Sequence, residues 1–175
     1  MTGISIHSLR PDQLDAHAAA LAGIMTETVN GGAAIGYLQP FSLDDGHAFF
    51  ATSVFPEVRA GNRRLLVAKL GADTVGTVQL IVALPRNQPH RCEVAKMMVA
   101  PSARRRGVGR ALLQALDAEA RAAGKSLITL DTKTGDNAEP LYRAAGFKVA
   151  GVVPGFALDP DRAALHATTY MYKTL

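Results

Sequence analysis

The stretch "MMVAPSARRRGVGRALLQAL", residues 97–116, joins three kinds of sequence. An apolar run ends at Pro101, and three consecutive arginines with two glycines follow it. Beyond the arginines, Val108, Leu112 and Leu116 recur at the spacing of one helix face. These features predict a strand, a glycine-containing loop and a helix, in that order.

The loop between that strand and that helix has the features of an anion-binding site. Gly107 and Gly109 allow a tight turn and a close approach of the backbone to a ligand. The first N–H groups of a helix lack partners within it, and the helix dipole makes this end positive. With the helix beginning near Ser102, we expect a phosphate or pyrophosphate here, surrounded by Arg104, Arg105, Arg106 and Arg110. A solvated basic turn is the alternative.

Two common phosphate motifs do not fit this sequence. A dinucleotide fingerprint needs a third glycine, and Leu112 stands at that position. The "GKS" at residues 124–126 lacks the earlier glycine of a P-loop, because Glu119 occupies its place, and it precedes a strand instead of following one.

The composition is typical of a folded protein of one domain, residues 1–175. Hydrophobic residues make up 48% of the chain, and the net charge is +4. We see no signal peptide, the apolar run Leu80–Leu84 is too short to cross a bilayer, and Cys92 is the single cysteine. We therefore expect a cytoplasmic protein without membrane or nucleic-acid partners, and we find no His, Cys and Asp cluster with metal-ligand spacing.

Hydrophobic periodicity and turn residues predict a mixed α/β sheet. Asp12 is a candidate N-cap for the first helix, a second helix starts at Ser42, and Pro56 and Gly61 mark its end. The predicted strands cover residues 63–70, 74–84, 92–99, 126–132, 147–153 and 167–175, with further helices at 106–124 and 137–146. The strand–helix–strand order around residue 110 predicts a crossover between parallel strands.

Several of these segments together resemble the GCN5-related N-acetyltransferases, the GNAT superfamily. They are Arg-x-x-Gly-x-Gly at residues 104–109, "MMVAP" before it, and "LYRAAGF" at residues 141–147. The resemblance implies a mostly antiparallel central sheet of six to seven strands with flanking helices, whose fourth and fifth strands splay apart. It also implies an enzyme that transfers an acetyl group from acetyl-CoA to a primary amine.

Other segments are similar to the tabtoxin-resistance group of that superfamily. These are "ETVNGGAAIGY" at residues 27–37, "LDT" at 130–132 and the terminal "KTL". This resemblance implies a small amine acceptor, such as an amino-acid-like toxin or antimetabolite. A protein amine acceptor, or a non-catalytic acyl-CoA-binding regulatory module, is the alternative, and either a monomer or a homodimer is compatible with the sequence.

The resemblance also implies the residues that contact acetyl-CoA. Main chain at Met98 and Val99 would pair with the pantetheine arm, and Arg104 opens the phosphate motif. The backbone N–H groups that bind the pyrophosphate would be those of Arg105, Arg106, Gly107, Val108, Gly109 and Arg110. Where many members have an asparagine, this chain has Gly135, so Asn137 is the nearest substitute.

Catalytic roles follow from the same resemblance. Tyr142 matches the general acid that protonates the leaving thiolate, and the N–H of Met98 is the expected oxyanion donor. Glu93 and Asp131 match acidic residues suited to take the amine proton through water, and the choice between them stays open. Strand alternation would place Glu93, Ala95, Met97 and Val99 on one side, and would leave Lys96 on the other as a counter-charge or an exposed residue.

The acceptor side is expected to involve the first two helices and the loop between them. Glu27 is a candidate partner for the substrate ammonium, and the glycines after it give a flexible backbone. The candidate substrate-binding residues are Glu27, Asn30, Gly31, Gly32, Tyr37 and His166. A glycine-rich connector with a solvated Glu27 is the alternative.

Overall fold

A computed structural model of the chain describes residues 3–175. Seven strands form one sheet: β1 (Ile4–Ser8), β2 (Arg63–Leu70), β3 (Asp73–Ile81), β4 (Arg91–Val99), β5 (Leu127–Lys133), β6 (Lys148–Leu158) and β7 (Leu165–Thr174). Five α-helices accompany them: α1 (Leu14–Asn30), α2 (Leu43–Phe49), α3 (Phe55–Arg59), α4 (Val108–Ala122) and α5 (Ala138–Ala144). Within residues 3–175, no helix is both long and apolar enough to span a bilayer.

The strand order across the sheet is β1-β2-β3-β4-β5-β7-β6. Every neighbouring pair is antiparallel except β4 and β5, which are parallel. Their ladder covers only Arg91–Glu93 against Leu127–Thr129, and beyond it β5 pairs with β7 alone. The predicted mixed, mostly antiparallel sheet of six to seven strands, with strands four and five splayed, is therefore confirmed.

A hydrophobic core lies on each face of the sheet. On one face, the predicted stripe of α4 is buried: Val108, Leu112, Leu116 and Ala120. On the other face, α1 packs with α2 and α3 around a second cluster, which includes Leu14, Leu21, Met25, Phe50 and Val54. Residues that contact neither core are left to line the ends and the gap of the sheet.

A bulge in β4 changes which side chains face which core. Ala95 lies opposite Gln79 and Met98 lies opposite Thr77, so two residues of β4 stand against one residue of β3. Lys96, at the bulge, has a left-handed backbone with φ of 48°. Such an extra residue shifts the alternation by one position.

The alternation predicted for β4 is therefore wrong beyond Ala95. Cys92 and Val94 pack on the α4 face, and Met97 also contacts this core, although alternation predicted Met97 on the side opposite Val94. Met98 faces the opposite core, against α1. Glu93 and Met97 consequently lie on opposite faces, because the bulge separates them.

The N-terminal part of the chain also differs from the prediction. Strand β1, which pairs with β2, was not predicted because its five residues carry too little pattern. Asp12 does not cap α1, since it lies in a short 3₁₀ turn and bonds with Arg10. Ser42 does cap α2, where its hydroxyl accepts the Asp45 N–H at 3.0 Å.

Helix boundaries differ in two further places. The predicted second helix is divided into α2, a π-helical turn and α3, and Pro56 lies in the first turn of α3, where its missing N–H costs little. Helix α4 begins at Val108, close to the predicted start at residue 106, and the other predicted start, near Ser102, is wrong because residues 101–103 form a separate 3₁₀ turn. Gly124 ends α4 as predicted, with φ of 70°.

Gly76 of β3 offers a test of how closely α4 packs on the sheet. A Cβ there would lie 3.0 Å from Val108 Cγ1 and 3.2 Å from the Met98 carbonyl oxygen. We expect Gly76→Ala to lower the free energy of unfolding by about 1–3 kcal/mol, because overpacking against backbone is not easily relieved. Urea unfolding followed by circular dichroism measures the change.

Gly23→Ala in α1 is the matched control, because nothing lies within 4 Å of the added Cβ. It should leave stability unchanged or raise it by up to about 1 kcal/mol. Equal unfolding midpoints for the two variants would contradict close packing at Gly76.

Candidate active site

The loop before α4 presents backbone N–H groups that have no backbone partner among residues 3–175. The Arg104 N–H donates to the Pro101 carbonyl at 3.3 Å, and the next backbone bond from this segment runs from the Ala111 N–H to the Gly107 carbonyl at 3.0 Å. Among residues 3–175, no backbone oxygen accepts from the N–H groups of residues 105–110 with hydrogen-bond geometry. These groups are free to bind a ligand.

The loop conformation and its charges suit an anion. Arg105 and Gly107 both have left-handed backbones, with φ of 61° and 86°, a geometry that turns successive N–H groups toward one side. All four nearby arginines are exposed: Arg104, Arg105, Arg106 and Arg110. The Arg104 guanidinium also bonds the Val99 carbonyl at 3.3 Å, which ties the loop to the end of β4. The fit with the predicted phosphate site is good.

The backbone register decides which residue of β4 faces the gap beside β5. The Ala100 N–H donates to the Val75 carbonyl of β3 at 2.8 Å. Because antiparallel residues alternate in the direction of their N–H groups, Met98 also bonds toward β3, opposite Thr77. Val99 points its N–H and carbonyl toward the gap. This geometry favours Val99 over Met98 as the residue that offers backbone groups to a ligand.

Tyr142 lies on α5, close to the phosphate loop. A Cβ on Gly109 would lie 2.8 Å from Leu141 Cδ2, which shows how tightly α5 packs against the start of α4. The Tyr142 ring is buried and meets Phe147 edge-on, with 5.8 Å between ring centroids. Burial, with smaller contributions from Asp131 and Asp136, raises the pKa of Tyr142, so the phenol keeps its proton at neutral pH. Its hydroxyl forms no hydrogen bond within residues 3–175.

Glu93 and Asp131, the two candidate bases, line one cavity of about 330 Å³ on the face opposite α4. Arg91, Thr129 and Tyr170 also line it. Glu93 is paired with Arg91 at 3.1 Å. Asp131 is exposed, forms no ion pair among the described residues, and accepts a hydrogen bond from the Thr168 hydroxyl at 3.2 Å. Asp131 therefore has the freer carboxylate of the two.

A second cavity, of about 310 Å³, lies where the α1–α2 loop meets the β6–β7 turn. The predicted residues Asn30, Gly31 and Gly32 line it, together with Lys133 and Asp159. Asp159 accepts hydrogen bonds from Lys133 and, at 3.0 Å, from His166 Nδ1. His166 thus lies beside this cavity, held by Asp159.

The α1–α2 loop, residues 31–42, lies on the face of the sheet opposite α4, which we call the acceptor face. The Asn30 side chain bonds the Phe41 backbone in both directions, at 2.8 and 3.0 Å, so its amide has a structural role. The Gln39 N–H donates to the Pro160 carbonyl at 2.8 Å, and Arg162 bonds the Gln39 carbonyl. Residues 39–41 of the loop are therefore bonded both to the last residue of α1 and to the β6–β7 turn.

Two of the residues predicted on the acceptor side, Tyr37 and Glu27, line neither of the two cavities. Tyr37 lies within the loop, edge-on to Phe41 and Phe49 at 5.1 and 5.6 Å, and burial raises its pKa. Glu27 is exposed and lines neither cavity, so the structure does not bring it to the candidate site. The contact expected between Glu27 and a substrate ammonium has no geometric support.

Asn137 and Cys92 complete the predicted set. Asn137 is exposed at the start of α5, and its role toward the cofactor stays a prediction. Cys92 is fully buried, and burial raises the pKa of its thiol to about 11. Among residues 3–175, no three His, Cys, Asp or Glu side chains are arranged to hold a metal ion.

Three residues that line the cavity with Glu93 and Asp131 were not predicted from the sequence. Arg91, Thr129 and Tyr170 meet Glu93 and Asp131 only through the register of three strands. Glu93 aligns with Thr129, and Asp131 aligns with Tyr170. No local motif marks these positions, because pairing between strands distant in sequence brings them together.

Comparison with known proteins agrees with this geometry. Residues 61–149, just over half of the chain, match the model of the acetyltransferase (GNAT) domain family. An IAA acetyltransferase from Azospirillum brasilense is 35% identical over 98 residues, which is 55% of this chain and 62% of that relative. This match therefore spans less than two thirds of the relative.

Solved structures resemble the whole fold. Ribosomal-protein-alanine N-acetyltransferase from Brucella melitensis is 25% identical, with a TM-score of 0.78 over 98% of this chain and 99% of that one. The structure of yncA from Salmonella typhimurium with its cofactor acetyl-CoA is 22% identical, with a TM-score of 0.79 over 98% and 94% of the two chains.

The chain belongs to the GNAT acetyltransferase family, as the family match over residues 61–149 shows. Acetyl-CoA is the acetyl donor of this family, in agreement with the co-substrate that the sequence predicts.

The phosphate loop can be tested by giving Gly107 a side chain. A Cβ there has space, since its nearest neighbour is Ile4 Cδ1 at 3.8 Å, but the left-handed backbone would be strained. We expect Gly107→Val to weaken acetyl-CoA binding about 10- to 100-fold, because a shifted backbone loses charge-assisted N–H bonds. Isothermal titration calorimetry measures the dissociation constant.

Gly124→Val is the matched control at the other end of α4. Its backbone is also left-handed, with φ of 70°, and nothing lies within 4 Å of an added Cβ. It should lose similar stability and keep wild-type affinity. Unchanged affinity in Gly107→Val would argue against the loop as the phosphate site.

Proposed function

We propose that the protein transfers an acetyl group from acetyl-CoA to the primary amine of a small, amino-acid-like molecule. A toxin or antimetabolite resembling tabtoxinine-β-lactam is the acceptor that the sequence motifs favour. The observation that supports this proposal best is that Glu93 and Asp131 line one small cavity, on the same face of the sheet as the α1–α2 loop. A cavity of about 330 Å³ suits a small molecule.

The donor side of the proposed site is the gap between β4 and β5. The free N–H groups of residues 105–110 would bind the pyrophosphate, and the backbone groups of Val99 would bond the pantetheine arm as an added strand does. Acetyl-CoA supplies an activated thioester. The chain's contribution is to hold that thioester at the open edge of β4, where an N–H directed into the gap would bond its carbonyl oxygen.

Proton transfers are assigned to three side chains. An amine attacks only when neutral, so a carboxylate must accept its proton, and Asp131 suits this role because no cation pairs with it. Glu93, held by Arg91, would orient the ammonium or a bridging water. Tyr142 remains protonated at neutral pH and would donate its hydroxyl proton to the leaving sulfur.

A protein amine is the second candidate acceptor. It is favoured by the 25% identity to the ribosomal-protein-alanine N-acetyltransferase of Brucella melitensis. Against it stands the α1–α2 loop, whose bond from Gln39 to Pro160 crosses the acceptor face, whereas a peptide needs an open groove. The third alternative, a non-catalytic acyl-CoA-binding module, has no need of Tyr142.

The proposed function is tested with purified protein, acetyl-CoA and three acceptor sets: amino acids, simple amines and peptides with free N-termini. Release of CoA thiol measures turnover. We expect saturable turnover with at least one small amine and none with peptides. Turnover with peptides alone would establish the second candidate, and acetyl-CoA binding without any turnover would establish the third.

Tyr142→Phe separates chemistry from binding. We expect kcat to fall about 100-fold or more, because general acid catalysis contributes this much. The dissociation constant for acetyl-CoA and the melting temperature should keep wild-type values, since the hydroxyl has no hydrogen-bond partner among the described residues. Steady-state kinetics, calorimetry and thermal unfolding provide the three measurements. A wild-type kcat would rule out Tyr142 as the acid.

A further inference from the structure

Lys96 is the one lysine on β4, and it lies at the bulge that precedes the open part of that strand. Its left-handed φ of 48° is unusual for a residue with a side chain, and such strain is concentrated at functional positions. The Lys96 Nζ lies 5.7 Å from the ring centroid of Tyr37. A Cβ on Gly36 would lie 3.5 Å from the same Nζ. The ammonium therefore sits beneath the α1–α2 loop on the acceptor face.

This ammonium lacks an acceptor in the part of the chain that the structure describes. Among residues 3–175, Lys96 Nζ has no carboxylate oxygen within 4.0 Å and no hydrogen-bond partner, although the side chain is partly buried. Burial lowers the pKa of Lys96, and the charge of Asp131 partly opposes this effect. A cation removed from water without an anionic partner is costly, and that cost is recovered when an anion binds.

Two further donors that lack acceptors among residues 3–175 lie on β3, which pairs with β4, and on β2, which pairs with β3. Gln79 is fully buried opposite Ala95, and its Nε2 has no partner among the described residues. Arg63, whose charge contributes to the lowered pKa of Lys96, has a buried Nε that also lacks a partner. The β2–β4 side of the acceptor face thus has an excess of positive charge and donors, whereas Glu93 and Asp131 provide negative charge beside β5.

We propose that Lys96 is a specificity-determining residue that binds a carboxylate or similar anionic group of the acceptor. The inference rests on the proposed function and adds a requirement to it: the acceptor carries a negative charge as well as its amine. With the anionic group on Lys96, the amine of an amino acid is directed toward Asp131 and Glu93. A cation–π contact that only fastens Tyr37 is the alternative role for the ammonium.

The test compares paired acceptors that differ only in charge. A panel of L-amino acids is assayed beside the corresponding L-amino acid carboxamides, which keep the amine and lose the carboxylate. In Lys96→Met we expect KM for the acids to rise about 10- to 100-fold, the range of a charge-assisted bond, while KM for the carboxamides stays unchanged. Lys96→Arg should restore most of the preference for acids, because it keeps the charge.

Lys148→Met is the matched control, since Lys148 is exposed on β6, away from both cavities. Thermal unfolding of each variant, with and without CoA, checks that the fold and the donor site are intact. A role limited to fastening Tyr37 or to tuning Asp131 would change the kinetics of acids and carboxamides by the same factor.

The outcomes separate this inference from the proposed function. Equal losses for acids and carboxamides, or a wild-type enzyme that turns over carboxamides as well as acids, would overturn the role of Lys96 and leave the acetyltransferase function intact. An absence of turnover with every amine, charged or neutral, would overturn both.

Discussion

The parallel ladder between β4 and β5 ends after three residue pairs, and the rest of the site depends on this interruption. A buried strand normally uses both of its edges, because unpaired backbone groups are costly. Beyond Glu93, β4 bonds only to β3, so the N–H and carbonyl of Val99 face an open gap. An open edge inside a sheet is a place where an extended ligand can complete the hydrogen bonding.

Two local features determine which groups lie beside that gap. The bulge at Lys96 changes the face on which the last residues of β4 lie, so that Met98 packs against α1. Glu93 precedes the bulge and lines the cavity that it shares with Asp131. At the end of β4, Gly76 lets the start of α4 lie close to the sheet. The free N–H groups of residues 105–110 are thereby set beside the open edge.

Charge divides the acceptor face into two regions. Asp131 on β5 and Glu93 at the start of β4 line one cavity, where Arg91 pairs with Glu93, whereas Lys96 lies at the bulge of β4 and the buried donors of Gln79 and Arg63 lie on β3 and β2. The α1–α2 loop lies on the same face and is bonded to the β6–β7 turn. A small molecule with both an amine and an acid fits such a division.

Local sequence alone determined the buried stripe of α4, the start of the second helix at Ser42 and the end of α4 at Gly124, and it marked the loop at residues 104–110 as a candidate phosphate site. These features depend on backbone conformation and helix periodicity, which are properties of neighbouring residues. The sequence also marked Tyr142, Glu93 and Asp131, although their roles remain proposals. Several motifs, in the same order as in the GNAT superfamily, indicated the family, and the match over residues 61–149 confirms it.

Only the tertiary structure decided the face on which each residue of β4 lies, the cavity shared by Glu93 and Asp131, and the partners Arg91 and Tyr170 that line it. It also showed that α4 starts at Val108 and that Glu27 is exposed and lines neither cavity. Strand register and a one-residue bulge depend on hydrogen bonds between segments distant in the chain. A periodic pattern cannot contain that information, because one extra residue reverses every side chain that follows it.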